Sequence, residues 1–301
     1  MIAASGRQKP TNHGLAAAER SDINFDSHGV ELSGWLYRAP GPGPSPGIVM
    51  THGLTAVKEM FLDRYAEAFQ AAGLSTLVYD HFGFGSSAGE PRQWPSPSVQ
   101  IEGYRDALRW LGDDAAIDEA RLGIWGSSFS GGEVIMLAAE ELALRCAVAQ
   151  VPGLGDTSPE IPAGAMAAIL EAVGSGRADV IIPAVETDPE GEGFMLADGA
   201  AAWFSRVAAE RAPRWRNELR PLAFSEPYRP IDSLIDVRVP LLLIVARDDE
   251  LTPPAGALAI APTIDLVEVV EIPGGHFDAY EANFDASCSA ATSFFCRQLR
   301  P

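Results

Sequence analysis

The sequence predicts an α/β fold, in which helices cover both faces of a mostly parallel sheet and a helical insertion interrupts the chain. Two observations predict it. Short β-branched runs alternate with helix-length amphipathic segments over most of the 301 residues. The alternation breaks between residues 152 and 235, a stretch that contains nine prolines. The length alone allows either two domains or one large domain with an insertion.

Apolar runs bounded by glycine, proline or polar residues predict the strands. These runs cover residues 30–37, 47–51, 75–79, 121–125, 146–151, 240–246 and 266–272. Apolar residues at helical spacing predict the helices between them. These helices cover residues 56–72, 99–111, 130–144 and about 283–299. Residues 1–20 are small and polar without a continuous apolar segment, so we expect a flexible tail rather than a secretory signal.

The proline-rich stretch 152–235 is predicted to be a cap, or lid, inserted into a core formed by residues 21–151 and 236–301. It contains helix-like pieces at 163–173 and 199–211, and a loop of this length without structure would be unusual in a compact domain. A surface extension unrelated to any site is the alternative. Its large residues either line an apolar pocket under the cap or form the core of the insertion itself. These residues are Met166, Met195, Trp203, Phe204 and Trp215.

Composition and charge exclude several classes of partner. The chain has 41 acidic and 22 basic residues, a formal net charge of −19, which disfavours binding to nucleic acid or to anionic membranes. Its longest apolar runs, such as 239–246, are far shorter than the ~20 residues that span a bilayer. Three cysteines without CxxC spacing indicate free thiols and a cytoplasmic location. The sequence leaves the oligomeric state open, a homodimer included.

The most informative segment, residues 121–132, runs from an apolar strand through small residues into a helix. A nucleophile raised on a strained strand-to-helix turn needs small neighbours two positions before and after it. Ser127 would have Trp125 and Phe129 there, and Ser130 lies too far from the strand end. Ser128 lies at the junction between Gly126 and Ser130, so we predict Ser128 as the nucleophile. A plain glycine-rich turn is the alternative.

The residues downstream favour the catalytic interpretation. In the segment 241–253 a predicted strand is followed by Asp248 and Asp249. His276 follows the last predicted strand. The three residues then follow one another along the chain in the order serine, acid, histidine. In that order His276 would act as the general base, and the acid would fix the tautomer of its imidazole and stabilise the imidazolium. Because Ser128 precedes the insertion while the acid and His276 follow it, this order favours one domain with an insertion over two domains.

These motifs resemble the α/β-hydrolase superfamily, and most closely its dienelactone-hydrolase-like and X-Pro-dipeptidyl-peptidase-like serine hydrolases. The resemblance covers about residues 23–299 apart from the insertion. It favours Asp249 over Asp248, because in the family the acid precedes a proline by a short interval, here Pro253. Some members place the acid after an earlier strand, which makes Asp156 a second candidate.

The upstream part of the family pattern is also present. Residues 51–55, Thr-His-Gly-Leu-Thr, resemble the turn that contributes to an oxyanion hole, which implies the backbone N–H groups of Leu54 and Phe129 as its donors. His52 and His81 are expected to be structural. Residues 80–89 resemble a tight family loop and lack the third glycine and following helix of a dinucleotide site, so we expect no cofactor. No histidine pair has metal-ligand spacing, and we expect no metal.

The sequence therefore predicts a serine hydrolase that acts on a small-molecule acyl substrate through an acyl-enzyme at Ser128, with a carboxylic ester favoured. Thioester, lactone, amide and carbon–carbon bonds remain open within the same mechanism. Transfer of the acyl group to another acceptor, or cyclisation, is a further alternative. A non-catalytic binding protein with this fold is the least favoured.

Overall fold

One eight-stranded sheet organises the computed structural model, which describes residues 20–156, 161–188, 190–197 and 199–301. The strands follow the spatial order β1-β2-β4-β3-β5-β6-β7-β8. β1 and β2 pair antiparallel, β2 pairs antiparallel with β4, and all later pairs are parallel. The strands are β1 (Arg20–Ser27), β2 (Val30–Tyr37), β3 (Ser45–Thr51), β4 (Ser75–Tyr79), β5 (Ile117–Ser127), β6 (Cys146–Gln150), β7 (Leu241–Ala246) and β8 (Val267–Ile272).

Helices cover both faces of this sheet, so the predicted fold class is confirmed. The helices are α1 (Leu62–Ala71), α2 (Pro97–Gly112), α3 (Phe129–Glu140), α4 (Ala163–Ser175), α5 (Ala200–Glu210), α6 (Pro230–Ser233), α7 (Ala255–Ile260) and α8 (Phe284–Leu299). Short 3-10 helices cover Pro221–Ser225, Leu234–Asp236, Ala261–Thr263 and His276–Tyr280. α1 and α8 pack on one face, and α2 and α3 pack on the other, each pair on its own hydrophobic core. Within the described ranges no helix is long and apolar enough to cross a bilayer.

The largest differences from the predicted elements concern the first helix and strand β1, and the other boundaries shift by at most four residues. The first helix begins at Leu62 rather than at residue 56, because Thr55 and Phe61 have φ angles of 57° and 68°, outside the α-helical range. Strand β1 was not predicted, and Arg20, its first residue, was assigned to the tail. β1 has only two apolar residues, Ile23 and Phe25, among polar ones, so its alternating pattern is short. It pairs with β2, and Phe25 is buried in the hydrophobic core. The rest of the predicted tail, residues 1–19, lies outside the described residues.

The stretch between β6 and β7 contains α4, α5, α6 and two short 3-10 helices. Isolated backbone bridges join Ile182 to Leu219 and Val185 to Met195, and they tie the irregular segments together. Trp203 and Phe204 of α5 belong to the same hydrophobic core as α1 and α8. α5 therefore packs on the α1 and α8 side of the sheet, whereas α6 packs against α3 on the other side, where Ile231 belongs to the second hydrophobic core.

Candidate active site

Ser128 lies at the sharp turn between β5 and α3. Its φ of 60° and ψ of −121° are strained for a residue with a side chain. The turn is crowded: a Cβ atom on Gly126 would lie 2.4 Å from the Ser130 carbonyl oxygen, and one on Gly53 would lie 2.8 Å from the Ser128 Cβ. Glycine at positions 126 and 53 therefore lets the backbone pass close enough to raise Ser128 out of the sheet.

The three neighbouring serines have different surroundings. Ser127 is buried in β5, where its hydroxyl lies 2.5 Å from the Tyr280 hydroxyl. Ser130 is also buried, and its Oγ donates to the His52 carbonyl at 2.5 Å. Ser128 alone of the three lines the cavities described below, and its hydroxyl makes no hydrogen bond to any described residue. The structure therefore leaves Ser128 available to a ligand.

Asp249 and His276 form a buried pair at the ends of β7 and β8. His276 Nδ1 lies 2.8 Å from Asp249 Oδ2, and the two side chains are 6% and 1% exposed. The other oxygen, Oδ1, accepts hydrogen bonds from the backbone N–H groups of Leu251 and Thr252 at 3.0 and 2.8 Å. Asp248 is exposed and Asp156 lies in a cavity wall, so of the three candidate acids the structure places Asp249 against His276.

The Asp249 carboxylate is held in its charged form. Burial by itself would raise the pKa of Asp249, but the neighbouring His276 and the hydrogen bonds from His276 and Thr252 outweigh burial and lower it. Because Nδ1 of His276 faces this carboxylate, Nε2 is the ring nitrogen left for a substrate or for Ser128. Such a pair can take a proton from a hydroxyl and hold the resulting imidazolium.

Two backbone N–H groups lie beside Ser128. Leu54 follows Gly53 in the turn after β3, and Phe129 is the first residue of α3. Both residues line the larger cavity with Ser128, and neither N–H donates a hydrogen bond to a described residue. One residue comes from the turn after β3 and the other from the start of α3, and their role as oxyanion-hole donors stays a prediction.

His52 and His81 are buried beneath this turn, away from the cavities. His52 Nδ1 lies 3.0 Å from the Gly53 carbonyl oxygen, and its Nε2 accepts from the His81 N–H at 3.2 Å. The His81 ring contacts Ser130 Oγ at 2.9 Å. Burial lowers the pKa of both rings, most strongly that of His81, so both are neutral at neutral pH. These contacts assign both histidines a structural role.

The loop after β4 wraps around the carboxylate of Asp80. Asp80 Oδ1 accepts from the Lys58 backbone N–H at 2.8 Å, and Oδ2 accepts from the Ser86 N–H at 2.9 Å and from Lys58 Nζ at 2.5 Å. Gly85 has a φ of 46°, and a Cβ there would lie 2.3 Å from Asp80 Oδ2. The glycines of this segment therefore serve a tight carboxylate-centred loop.

Two cavities flank Ser128. The larger has a volume of about 430 Å³ and a mostly apolar lining that includes Ile161, Met166, Ile169 and Phe224. The smaller has a volume of about 30 Å³, and its lining includes His276 and four aromatic residues. These aromatic residues are Trp203, Phe204, Phe277 and Tyr280.

Four of the five large insertion residues singled out in the sequence lie in these cavity walls. Met166 lines the larger cavity, Trp203 and Phe204 line the smaller one, and Met195 lines both. Trp215 lines neither and stacks on Phe204 at a ring distance of 5.3 Å.

Sequence reasoning missed two residues of this region. Thr252 Oγ1 lies 2.9 Å from Asp249 Oδ2 and 3.1 Å from His276 Nδ1, so it supports the pair. Its position three residues after the acid was an available signal. The Tyr228 hydroxyl lies 2.5 Å from the Phe129 carbonyl oxygen, and its ring stacks on Phe129 at 4.2 Å. No local pattern marks Tyr228, because 99 residues separate it from its partner.

Comparison with known proteins identifies the family. The sequence model of the alpha/beta hydrolase family matches residues 48–287. The quorum-quenching protein AidA from Acinetobacter baumannii is 29% identical over 271 residues, covering 86% of this chain and 88% of that protein. A thiohydrolase from Eupenicillium brefeldianum is 28% identical over 253 residues, covering 80% of this chain and 81% of that protein.

A third relative is named polyketide transferase grgF, from Penicillium sp., with 34% identity over 143 residues, 47% of this chain and 48% of that protein. A crystal structure of the alpha/beta hydrolase GrgF from Penicillium sp. sh18 has a TM-score of 0.79 at 23% identity, covering 94% of this chain and all of that one. At that identity the structural likeness shows the fold. The family match covers most of the chain, and the chain therefore belongs to the alpha/beta hydrolase family. The narrower resemblance to dienelactone and X-Pro hydrolases stays a prediction.

Proposed function

We propose that this member of the alpha/beta hydrolase family hydrolyses a carboxylic ester through an acyl-enzyme at Ser128. One observation carries the proposal. Ser128 has no hydrogen-bond partner among the described residues, stands on a strained turn, and shares a cavity with the Asp249-paired His276. A nucleophile on a strained turn that faces a cavity, together with a carboxylate-oriented histidine, is the arrangement that acyl transfer requires.

Acylation replaces the bond between the acyl carbon and the leaving oxygen with a bond to Ser128 Oγ, and His276 carries one proton from Ser128 to the leaving oxygen. Ser128 Oγ attacks the carbonyl carbon while its proton passes to His276 Nε2. The N–H groups of Leu54 and Phe129 bind the oxyanion, and Asp249 stabilises the imidazolium. The bond to the leaving oxygen then breaks, and that oxygen takes the proton from His276.

Deacylation repeats these steps with water. His276 takes a proton from water as the water oxygen attacks the acyl carbon. The bond between the carbon and Ser128 Oγ breaks, and Oγ recovers the proton. The products are a carboxylic acid and an alcohol, and the enzyme returns to its starting state.

The larger cavity favours a neutral, mostly apolar acyl group. Its volume of about 430 Å³ lies in the ordinary range for small-molecule sites. Asp156 and Glu226 are the acidic residues in its wall, and the chain carries a net charge of −19. An anionic acyl group would therefore meet like charge both at the surface and in the site.

The three cysteines are free, two of them buried, which supports our placing the enzyme in the cytoplasm.

A fluorophosphonate probe and a series of methyl esters of increasing acyl chain length test the proposal. We expect wild type to be labelled at Ser128 and to hydrolyse the esters, and Ser128→Ala to lose both properties. Ser175→Ala is the matched control, because Ser175 is exposed on α4 and lines neither cavity. Labelling that persists in Ser128→Ala would disprove the mechanism, and absence of labelling in wild type would favour a binding protein.

Thioester hydrolysis and acyl transfer form the second candidate function. The relatives named thiohydrolase and polyketide transferase favour it. The steps at Ser128 stay the same, with a thiol as leaving group or a second substrate in place of water. A pair of substrates with the same acyl group, one an oxygen ester and one a thioester, separates the two hydrolases by kcat/KM. Product analysis with an added alcohol detects transfer.

A further inference from the structure

We propose that the smaller cavity is the subsite for the group that leaves during acylation and for the nucleophile that enters during deacylation, and that the Met195 side chain limits its size. We call it the acceptor lobe and the larger cavity the acyl lobe. The inference rests on the proposed function, since it places the two parts of the ester, the acyl group and the leaving group, in different cavities.

The position of His276 assigns the lobes. Leu54, Ser128, Met195 and Leu251 line both cavities, whereas His276 lines only the smaller one. In acylation the proton must pass from His276 to the leaving oxygen, and in deacylation from the incoming nucleophile to His276. Both groups therefore have to lie beside His276, in the acceptor lobe. The acyl chain, which exchanges no proton, is left to the acyl lobe.

Most walls of the acceptor lobe are fixed. The Trp203 ring stacks on Phe277 at 4.4 Å, and its Nε1 donates to Glu281 Oε2 at 2.8 Å. The Tyr280 hydroxyl is held by Ser127 at 2.5 Å. These contacts leave the aromatic walls little freedom to make room for a larger group.

Met195 is the adjustable part of the wall between the lobes. Its backbone is anchored, because its N–H donates to the Ala184 carbonyl at 3.0 Å and its own carbonyl accepts from Glu186 N–H at 3.0 Å. Its side chain is unbranched and has more rotational freedom than an aromatic or β-branched residue. The backbone thus fixes where this side chain enters the wall that both lobes share, and the position of the thioether sets the width of the lobe.

The size of the acceptor lobe selects small groups. A volume of about 30 Å³ has room for about one water molecule. The structure therefore favours water as the deacylating nucleophile and a slender leaving group, such as a methoxy group, over a bulky one.

Methyl and benzyl esters of butanoic acid test the inference, because they share the acyl group and differ only in the leaving group. We expect Met195→Ala to raise the benzyl-to-methyl ratio of kcat/KM by about 10-fold or more. Met195→Val, which removes less volume, should raise the ratio less. Met166→Ala is the control: Met166 lines only the acyl lobe, so both esters should change together and the ratio should stay within about 2-fold.

The inference is overturned if the ratio is unchanged in both Met195 variants, or if it rises equally in Met166→Ala. Should Met195→Ala fail to fold, as judged by its melting temperature, Met195→Val alone decides between these results. Failure of the proposed function would look different, because ester hydrolysis would then persist in Ser128→Ala whatever the leaving group.

Discussion

Ser130 occupies the position two residues after Ser128, where its side chain points into the protein. Its Oγ donates to the His52 carbonyl at 2.5 Å and contacts His81 Nε2 at 2.9 Å. The His52 carbonyl belongs to the turn that carries Leu54, and Ser130 belongs to the helix that carries Phe129. This hydrogen bond therefore connects the two backbone segments that supply the proposed oxyanion donors. Ser130 is a positioning residue, because it lines neither cavity.

We expect Ser130→Ala to lower kcat about 10-fold and to leave KM nearly unchanged. Complete loss of one oxyanion donor costs about 100- to 1000-fold, and a displaced donor should cost less. Steady-state kinetics on the methyl ester of butanoic acid measure both constants, and the rate of fluorophosphonate labelling should fall in parallel. A variant that raises KM while kcat stays constant would contradict a positioning role.

Helix α3 is buried along nearly its whole length between the sheet and the inserted segment. Gly132 permits this packing, since a Cβ there would lie 2.0 Å from the Tyr228 hydroxyl. The same burial surrounds Glu133, which is fully inaccessible. Its carboxylate lies 3.7 Å from His81 Nε2, a ring kept neutral by burial, and near the phenols of Tyr79, Tyr104 and Tyr228. Burial therefore raises the pKa of Glu133 well above its usual value, although the Ser130 hydroxyl opposes the shift.

The raised pKa predicts a stability that falls with pH. The folded protein holds a proton on Glu133 that the unfolded chain releases, so the free energy of unfolding falls as pH rises above the ordinary carboxyl value toward the raised one. Glu133→Gln should remove this dependence, and its stability relative to wild type should grow by up to about 1.4 kcal/mol per pH unit. Urea unfolding at pH 5.5 and 7.5 measures the change. Glu140→Gln, at the exposed end of α3, is the control. If the free energy of unfolding of Glu133→Gln differs from that of wild type by the same amount at both pH values, Glu133 is not a buried neutral acid.

Hydrogen bonds and ion pairs connect the inserted segment to the core next to His276. Glu281 follows the 3-10 helix that begins with His276, and its Oε2 accepts from Trp203 Nε1 at 2.8 Å and from Arg206 Nη2 at 2.6 Å. A second ion pair joins Arg211 Nη2 to Asp63 Oδ2 at 2.5 Å. These contacts join α5 to the core on the side where the acceptor lobe lies. Packing of the insertion and the shape of the proposed acceptor subsite are therefore linked.

We expect Glu281→Ala to lower the melting temperature by about 2–4 °C. The nearly buried Trp203 N–H would lose its acceptor, at a cost of about 1 kcal/mol, while the partly exposed Arg206 pair adds little. Differential scanning calorimetry measures the shift. Glu210→Ala serves for comparison, since among the described residues Glu210 pairs only with Arg206, on the surface of α5. Equal melting temperatures for the two variants would show that the Trp203 contact contributes nothing.

Local patterns in the sequence were enough to predict most of the sheet. The strands after β1 fall within four residues of their predicted positions, because each contains an apolar, mostly β-branched or aliphatic run with turn residues near its ends. β1 escaped prediction because its apolar alternation is limited to Ile23 and Phe25 in an otherwise polar segment. The start of the first helix was misplaced because apolar spacing continues through a turn whose left-handed residues, Thr55 and Phe61, carry no glycine signal.

By itself, the sequence determined the fold class and the family, and it ordered Ser128, Asp249 and His276 along the chain. Only the tertiary structure decided that Asp249 rather than Asp248 faces His276, that Ser127 and Ser130 are buried, and that Met195 lines both cavities beside Ser128. The reason is physical. Strand, helix and turn preferences depend on neighbours a few residues apart, whereas a cavity wall depends on which distant segments pack together once the whole chain has folded.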